Sequence, residues 1–496
     1  MNFCGFSLTL SASSGFARYL LLGTAAVALL PGSAFAAGTS VGNGVAAGTA
    51  SIAISDPAGT AATASGTLSI AIGTSTTASG DFSTVVGSGA ESLGAASSAF
   101  GASANATGSL STAVGSNTSA TGANDSAFGA AANATGGFST AIGTQSAASG
   151  TLSTALGANA SSGGTNSVAI GGGDGVTTFG AVASGNLSIA AGETSVASGS
   201  SSVALGGAAN ASNTFAAALG FDSKSAGQAA VALGAGANAA GEFSFAQGFD
   251  TNAAGGVSVA IGAEASATGN FSIAQGFRAT STGLGSVAIG QSAGATQDGA
   301  LAVGENAAAT GVDAIAIGHG ASATGSVAVG LNASAANGGA AYGDNSTATG
   351  ALATAIGPGA SATGAGSVAI GSGSIASTAN TVSFGTPGHE RVLTNVAPGV
   401  NPTDAANVSQ LSAFSTSLKS SVFSGIAAAT AMGSAATPSA PGKTTFTVQS
   451  GFFENYAGVG FAFAHRLNTE APIDIEGGFA HSGGENVGQV GVSIEF

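Results

Sequence analysis

Histidine and carboxylate side chains are where catalytic and metal chemistry usually begins, and this chain has few of either in any useful pattern. Its four histidines are His319, His389, His465 and His481. None stands at metal-ligand spacing from another, and none has a serine, cysteine or carboxylate placed to complete a triad. Asp222 and Asp250 each follow a Gly-Phe pair, and Asp174 lies in Gly-Gly-Gly-Asp-Gly, an arrangement that invites a calcium reading. The nonapeptide calcium repeat needs Asp at regular positions. Here the residues are isolated, so turn formation explains them better. No Gly-rich stretch ends in the Lys-Ser/Thr of a phosphate loop. The expectation is a protein that is not an enzyme, with no catalytic residue, no metal and no cofactor.

What the chain does have is a period. A serine or threonine, a small or β-branched residue, alanine, an aliphatic or aromatic residue and then glycine recur every fourteen residues, from Gly73 through Gly87, Gly101 and onward to Gly385. The interval stretches to twenty-one between Gly171 and Gly192. It shortens to twelve between Gly318 and Gly330 and to thirteen between Gly330 and Gly343. A period sustained this long marks a solenoid whose coils bury apolar surface only against neighbouring coils. Residues one and three before the glycine, such as Ile70 and Ile72 or Val168 and Ile170, share one strand face, and the alanine between them faces the other way. Two short strands and two tight turns per coil are expected, with glycine supplying positive φ. At about 4.8 Å per coil the repeats build a rod on the order of 100 Å long. The alanine face is expected to meet other chains, because single coils of this size enclose little core. Phe82, Phe138, Phe215, Phe243 and Phe271, five residues before the glycine and interchangeable with Leu68, Leu110, Leu152 and Leu187, are expected in the core, with an exposed aromatic adhesion stripe as the alternative.

Composition excludes several function classes. Charged residues make up 6% of the chain, glycine 84 of 496 residues, and the net charge is −15. With no basic stripe to neutralise phosphates, nucleic acid is not an expected partner. Arg18, the apolar run Tyr19 to Leu30, a Pro31-Gly32 break and Ala34-Phe35-Ala36 together form a secretory signal with cleavage between Ala36 and Ala37. Cys4, the one cysteine, leaves with that signal. The remainder lacks any apolar run near the eighteen residues that a lipid-spanning helix requires.

The last fifth changes character. Leu411, Phe414, Leu418, Val422 and Ile426 are separated by spacings of three, four, four and four. That is a helix with about 3.75 residues per turn, looser than a heptad, so a bundle of such helices should be nearly straight or slightly right-handed. Four amphipathic strands come next, with apolar faces Phe446, Val448, Phe452; Val459, Phe461, Phe463; Ile473, Ile475, Phe479; and Val490, Val492, Ile494, Phe496. Alternate positions are small or polar, among them Gly458, Gly460 and Ala462. Such strands suit an outer-membrane barrel, yet four cannot close one, so several chains must share it.

Between the repeats and the helix lies His389-Glu390-Arg391-Val392-Leu393-Thr394-Asn395-Val396-Ala397-Pro398-Gly399, leading into Thr403-Asp404-Ala405-Ala406-Asn407-Val408-Ser409-Gln410-Leu411. This segment closely resembles the neck of YadA-like trimeric autotransporter adhesins, and the head repeats and C-terminus are similar to that family as well. The resemblance implies an all-β solenoid head, a trimeric parallel β-roll, followed by a short trimeric coiled coil and a C-terminal transmembrane β-barrel shared by three chains, four strands each and twelve in total. It divides the chain into a signal peptide (1–36), head (37–388), neck (389–411), stalk and lumen helix (412–437) and membrane anchor (438–496). It assigns Arg391, Asn395, Asp404 and Asn407 to the neck, with inter-chain contacts for Arg391 and Asp404, although these could equally be solvated charges. It makes Gly458, Gly460 and Ala462 lumen residues and Phe496 the aromatic recognised by the barrel assembly machinery. One matrix-binding motif of related heads, Asn166-Ser167-Val168-Ala169-Ile170-Gly171, occurs intact once, and it is also the bare structural repeat. The implied function is a surface-exposed adhesin that anchors in outer-membrane lipid, exports its own head and attaches to host cells, extracellular matrix or other bacteria. A structural coat that drives autoaggregation is the alternative.

Overall fold

The computed structural model describes residues 38–496 and divides into two compact units, one ending at Glu390 and one spanning Arg391–Phe496. The export segment and its cleavage point at Ala36 and Ala37 lie outside the described residues.

The first unit is a solenoid of two parallel ladders. One is a 25-stranded sheet built from strands such as Ile70–Ile72, Thr84–Val86 and Val368–Ile370. The other stacks two-residue strands such as Thr77–Ala78 and Asn105–Ala106. Every fourteen-residue step lays a strand on its counterpart in register, as in Thr112↔Ser126 and Ala113↔Ala127. Two further strands, Thr39–Val41 and Ile52–Ile54, join the first ladder ahead of the regular period. The sequence carries the first as Thr39-Ser40-Val41-Gly42 and the second as Ser51-Ile52-Ala53-Ile54-Ser55, where serine replaces the closing glycine.

The turns set the geometry. The Ser69 amide donates to the Gly66 carbonyl, and Leu68 between them has φ of 55°, which makes a type II turn with a bulky residue where glycine or asparagine is usual. A non-glycine residue in this region costs about 1–2 kcal/mol. The conformation turns its amide toward the preceding coil, where Leu68 donates to Thr49 O and Phe82 to Thr67 O, each at 2.8 Å. Those inter-coil bonds offset the strain. The closing glycine is bound more tightly. Gly101 has φ of +139°, and a Cβ there would stand 2.2 Å from the Gly115 carbonyl oxygen of the next coil.

The period's irregularities fall in turns. The seven extra residues after Gly171 form a loop at 172–180, and Val168–Ile170 still pairs with Ile189–Ala191. The shortened coils lose residues from the opposite turn, between Ala323 and Val327 and between Ala335 and Ala340, with both ladders intact. Register survives because ladder pairing, not chain length, is what each coil must satisfy.

Two expectations are corrected here. Ala71, Ala113, Ala169 and their equivalents are fully buried inside their own coil, so the alanine face cannot meet other chains. The outward face carries the isoleucine, valine and leucine side chains, with Ile170 at 43% and Leu156 at 43% exposure. Phe82, Phe138, Phe215, Phe243 and Phe271 are 57–62% exposed, not core. Both differences come from the thinness of the coil. Its interior admits mainly alanine and serine, and the left-handed turn residue points its side chain outward. Val85 is the largest fully buried side chain, and the buried Ser69, Ser97 and Ser202 hydroxyls each donate to a glycine carbonyl at 2.7 Å. Asp125 takes one such serine position, and its buried carboxylate accepts from the Gly122 amide, the Ser139 amide and the Ser139 hydroxyl.

The second unit contains one helix, α1 (Val408–Ala431), and an antiparallel sheet of β1 (Thr444–Phe453), β2 (Tyr456–Arg466), β3 (Ile473–Ser482) and β4 (Glu485–Ile494), in that order. The helix begins inside the stretch expected as neck and ends before residue 437. Asn407 caps it in a capping box with Gln410, which fixes the start.

Gly234→Ala should lower the melting temperature of the head, since its φ is +129° and an added Cβ would stand 2.3 Å from Gly248 O. Gly285→Phe should change it little. Gly285 has φ of +63° and open space around it, and the equivalent Phe271 already holds φ of 58°. Circular dichroism melts of the two variants distinguish a packing requirement from a general need for glycine.

Candidate functional site

The second unit concentrates its side-chain chemistry on one surface, the small-residue face of the four-stranded sheet against α1. Antiparallel register places Gly460 opposite Ala480 and Ala462 opposite Gly478, so glycine and alanine cluster on one side of β2 and β3. The helix turns its own small residues, Ser424, Ala427, Ala428 and Ala431, toward that side, and all four are buried. Contact is close. A Cβ on Gly458 would stand 2.5 Å from Ala427 O, and one on Gly460 would stand 2.4 Å from Ala431 O. The sequence-assigned lumen residues Gly458, Gly460 and Ala462 are therefore together, on the face that receives the helix.

Polar side chains on the same face hold the segment that leaves the C-terminus of the helix. Gln449 Nε2 donates to Ser434 O at 3.4 Å, the Ala436 amide donates to Thr447 Oγ1 at 3.3 Å, and Thr445 Oγ1 donates to Ala436 O. Residues 434–436 thus run along β1 as an extended strap. The expected stalk segment contained no signal for it, because Thr445, Thr447 and Gln449 read simply as the polar alternate of a strand. Further along the face, Arg466 and Asp474 form a two-pronged ion pair, with Nε–Oδ1 and Nη2–Oδ2 both at 3.0 Å. Planar guanidinium and carboxylate match in this geometry. At the opposite end of the strands Phe423 packs edge-on against Phe453 at 5.1 Å and Tyr456 at 5.9 Å, with Lys419 Nζ 5.2 Å from the Phe423 ring centre. A cavity of about 570 Å³ opens there beside the helix, lined in part by Ser415, Thr416, Glu454 and Asn455.

The other face of the sheet is apolar and open. Phe446, Val448 and Phe452 are 70–75% exposed, and Val490 is 87% exposed. Cross-strand rings pair on it, Phe446 with Phe463 and Phe461 with Phe479, with centres near 6 Å. Phe496 is fully exposed. Along α1 the line Leu411, Phe414, Leu418 and Val422 is also exposed, on the side away from the strands' small face, while Ile426 is half-buried.

Of the neck residues, Asn407 and Asp404 have structural tasks within the chain. Asn407 Oδ1 accepts from the Gln410 amide at 3.0 Å, and its Nδ2 donates to Val396 O at 3.0 Å. Gln410 in turn accepts from the Gly399 amide and donates to the Gly399 carbonyl, both at 2.8 Å. Asp404 accepts from the Asn401 and Val400 amides at 2.8 and 2.9 Å, and these bonds hold its carboxyl below the usual carboxylate range. Asn395 sits in the left-handed region at φ 61°, and Val392 nearby is 87% exposed.

In the head, the Asn166–Gly171 motif proves to be half internal. Ser167 and Ala169 are fully buried, and the Ser167 hydroxyl donates to Gly164 O at 2.7 Å, so Asn166, Val168, Ile170 and Gly171 are the members that can be reached from outside. Asp174 is the anchor of the inserted loop. Its carboxylate accepts from the Val176, Thr177 and Thr178 amides at 2.7–2.9 Å and from the Thr177 hydroxyl, which together depress its pKa well below the ordinary value. Asp222 pairs with Lys224 at 3.2 Å, and Asp250 sits in a turn with φ of 50°. Among the described residues no three His, Cys, Asp or Glu side chains gather where a metal could be held, and no helix is long and apolar enough to cross a membrane.

Comparison with known proteins bears on both units. The family described as "YadA head domain repeat (2 copies)" matches residues 64–90, 120–146, 148–173, 197–223 and 225–251, then in overlapping copies 253–333 and 348–386, together just over half of the chain. The family described as "Coiled stalk of trimeric autotransporter adhesin" matches 392–432. Among solved structures, the crystal structure of the collagen-binding domain of the Yersinia adhesin YadA is similar at 24% identity, covering 50% of this chain and 97% of that one, with a TM-score of 0.17. No curated protein matches.

Gly460→Leu should block the seating of α1 on the sheet. The expected outcome is loss of the head from the cell surface, read by antibody labelling of intact cells, whereas Val448→Leu on the open face should display normally.

Proposed function

The chain belongs to the YadA-like trimeric autotransporter adhesins, and from that membership we propose that three copies assemble in the outer membrane of a Gram-negative bacterium and hold an adhesive head at the cell surface. The observation that carries the anchoring is the two-sided sheet of the second unit. One face is large and apolar, with Phe446 and Val448 each 75% exposed, and the other is reduced to Gly and Ala against a helix. Ten-residue strands with that division suit lipid outside and a filled lumen inside. The outer strands β1 and β4 each pair on one side only within the chain, and lipid does not tolerate open edges. Three sheets of four strands close them. The small lumen face then accommodates three helices, and during export the chains passing outward, before the barrel assembly machinery's product comes to rest with α1 in place.

Adhesion is the role of the head, and we place it on the repeating outer surface instead of a single pocket. Each coil offers the same small patch of Ser, Thr and Asn beside an exposed turn residue, and three chains multiply it. Weak contacts then add through effective concentration. Extracellular matrix, host cells and other bacteria are the candidate targets, and collagen is what the similar Yersinia domain is named for binding. The half-buried Asn166–Gly171 motif supports a distributed surface, because its Ser167 and Ala169 have the same internal task as their equivalents in other coils.

The test is adherence of cells displaying heads shortened by one, three or six fourteen-residue coils between Gly192 and Gly318, assayed on collagen, laminin, fibronectin and bacterial lawns. Adhesion should fall gradually with coil number at constant display. Abrupt loss on removing one particular coil would show a localised site, and binding to bacteria alone would mark a self-association protein.

A further inference from the structure

A solenoid of near-identical coils has a problem when it packs against copies of itself. Sliding one chain by a coil, about 4.8 Å, would set apolar side chains against apolar side chains again, so hydrophobic contact alone leaves axial register undetermined. The outward column formed by the third residue of each strand in the larger ladder shows the difficulty and also a remedy. From Val41 to Ile370 that residue is Val, Ile, Leu, Phe or Tyr in every strand except at Ala191, Gln247 and Gln275. Its most exposed members reach about two-fifths, for example Ile142 at 40%, Ile170 at 43% and Ile356 at 43%, and others such as Val86, Leu233 and Ile261 are half-buried. Summed along the ladder this stripe offers an area on the order of 1,000 Å² per chain, enough for a stable interface and more than a lone soluble protein usually leaves open.

Gln247 and Gln275 interrupt the stripe two coils apart. Gln247 lies between Leu233 and Ile261, and Gln275 between Ile261 and Ile289. Both side chains point outward and are exposed in the single chain. We propose that this column faces the other two copies of the chain, and that Gln247 and Gln275 form two amide layers between the copies which fix their axial register. The proposal rests on the trimeric reading above. In register, three copies bring like amides together, and each carboxamide both donates and accepts, so the layer satisfies itself. A slip of one coil presses Gln247 against Leu233 or Ile261 of a neighbour and buries its amide without a partner, at the cost that unpaired buried polar groups carry. A slip of two coils matches one layer and leaves the other two glutamines against apolar residues. A single buried asparagine sets register in coiled coils by the same physics, at some cost in stability.

Cysteine substitution tests this, since Cys4 is the chain's one cysteine and belongs to the expected export segment. Gln247→Cys, Gln275→Cys and, as an outer-face control on the smaller ladder, Asn210→Cys are made in the full-length protein, purified in mild detergent and mildly oxidised. Gln247→Cys and Gln275→Cys should give mostly covalent two-chain species on reducing-agent-free gels, and Asn210→Cys several-fold less. The double variant Gln247→Leu/Gln275→Leu should melt at a higher temperature than the parent, because a buried polar layer has become apolar. Equal cross-linking at all three positions, or a melting temperature unchanged or lowered by the leucines, overturns the proposal. Light scattering on the unoxidised samples separates the two failures: a three-chain particle without links at 247 and 275 refutes this column, whereas a one-chain particle refutes the trimer itself.

Discussion

Backbones approach so closely within and between coils that the interior is filled almost entirely by alanine and serine, with Val85, Asp125 and a few threonines the largest side chains admitted, and the organisation of the chain derives from that spacing. Glycine Cβ atoms would fall 2.0–2.2 Å from the next coil's carbonyl at Gly66, Gly80 and Gly101. A core of this kind buries many residues and little apolar area per residue, since each alanine contributes one methyl group. Backbone hydrogen bonding between coils does most of the holding, with serine hydroxyls closing the turns. The large side chains have nowhere to go but outward, and a solenoid that wears its Ile, Leu and Phe on the outside needs other chains to cover them.

The second unit repeats the division by different means. Its helix and sheet touch through Ala427, Ala428, Ala431, Gly458 and Gly460, and turn Leu411, Phe414, Phe446 and Val490 away from each other. In each unit the finished interface is made of small residues within the chain, and the unfinished one is large and apolar. In the proposed assembly lipid and partner copies complete such surfaces, and the strand length and open sheet edges of the second unit fit a barrel whose outer face meets lipid.

Much of this was legible from spacing. The fourteen-residue period fixes the ladder register, the glycine at each period's end fixes one turn, and the alternation in β1 to β4 separates Gly458, Gly460 and Ala462 from Val459, Phe461 and Phe463 as the structure does. What spacing could not give was direction. Alternation in Ile70-Ala71-Ile72 shows that alanine and isoleucine oppose each other, and the usual burial preference would put isoleucine inside. The thinness of the coil reverses it. Phe82 and its equivalents depart from expectation for the same reason, compounded by a left-handed backbone at a residue type that seldom adopts it. The strap at 434–436 carries no periodic pattern, and its partners Thr445, Thr447 and Gln449 are indistinguishable in sequence from solvated strand residues. Asp125, in a serine position, shows that the buried site selects for hydrogen bonding as well as size.

If uncovered apolar faces and open sheet edges make this chain complete only in threes, native mass spectrometry of the full-length protein released from detergent measures that directly. A particle of three chain masses, with no folded one-chain species at any dilution that leaves the strands intact, is the predicted result. A one-chain particle whose β1 to β4 segment remains folded and protease-resistant would contradict it.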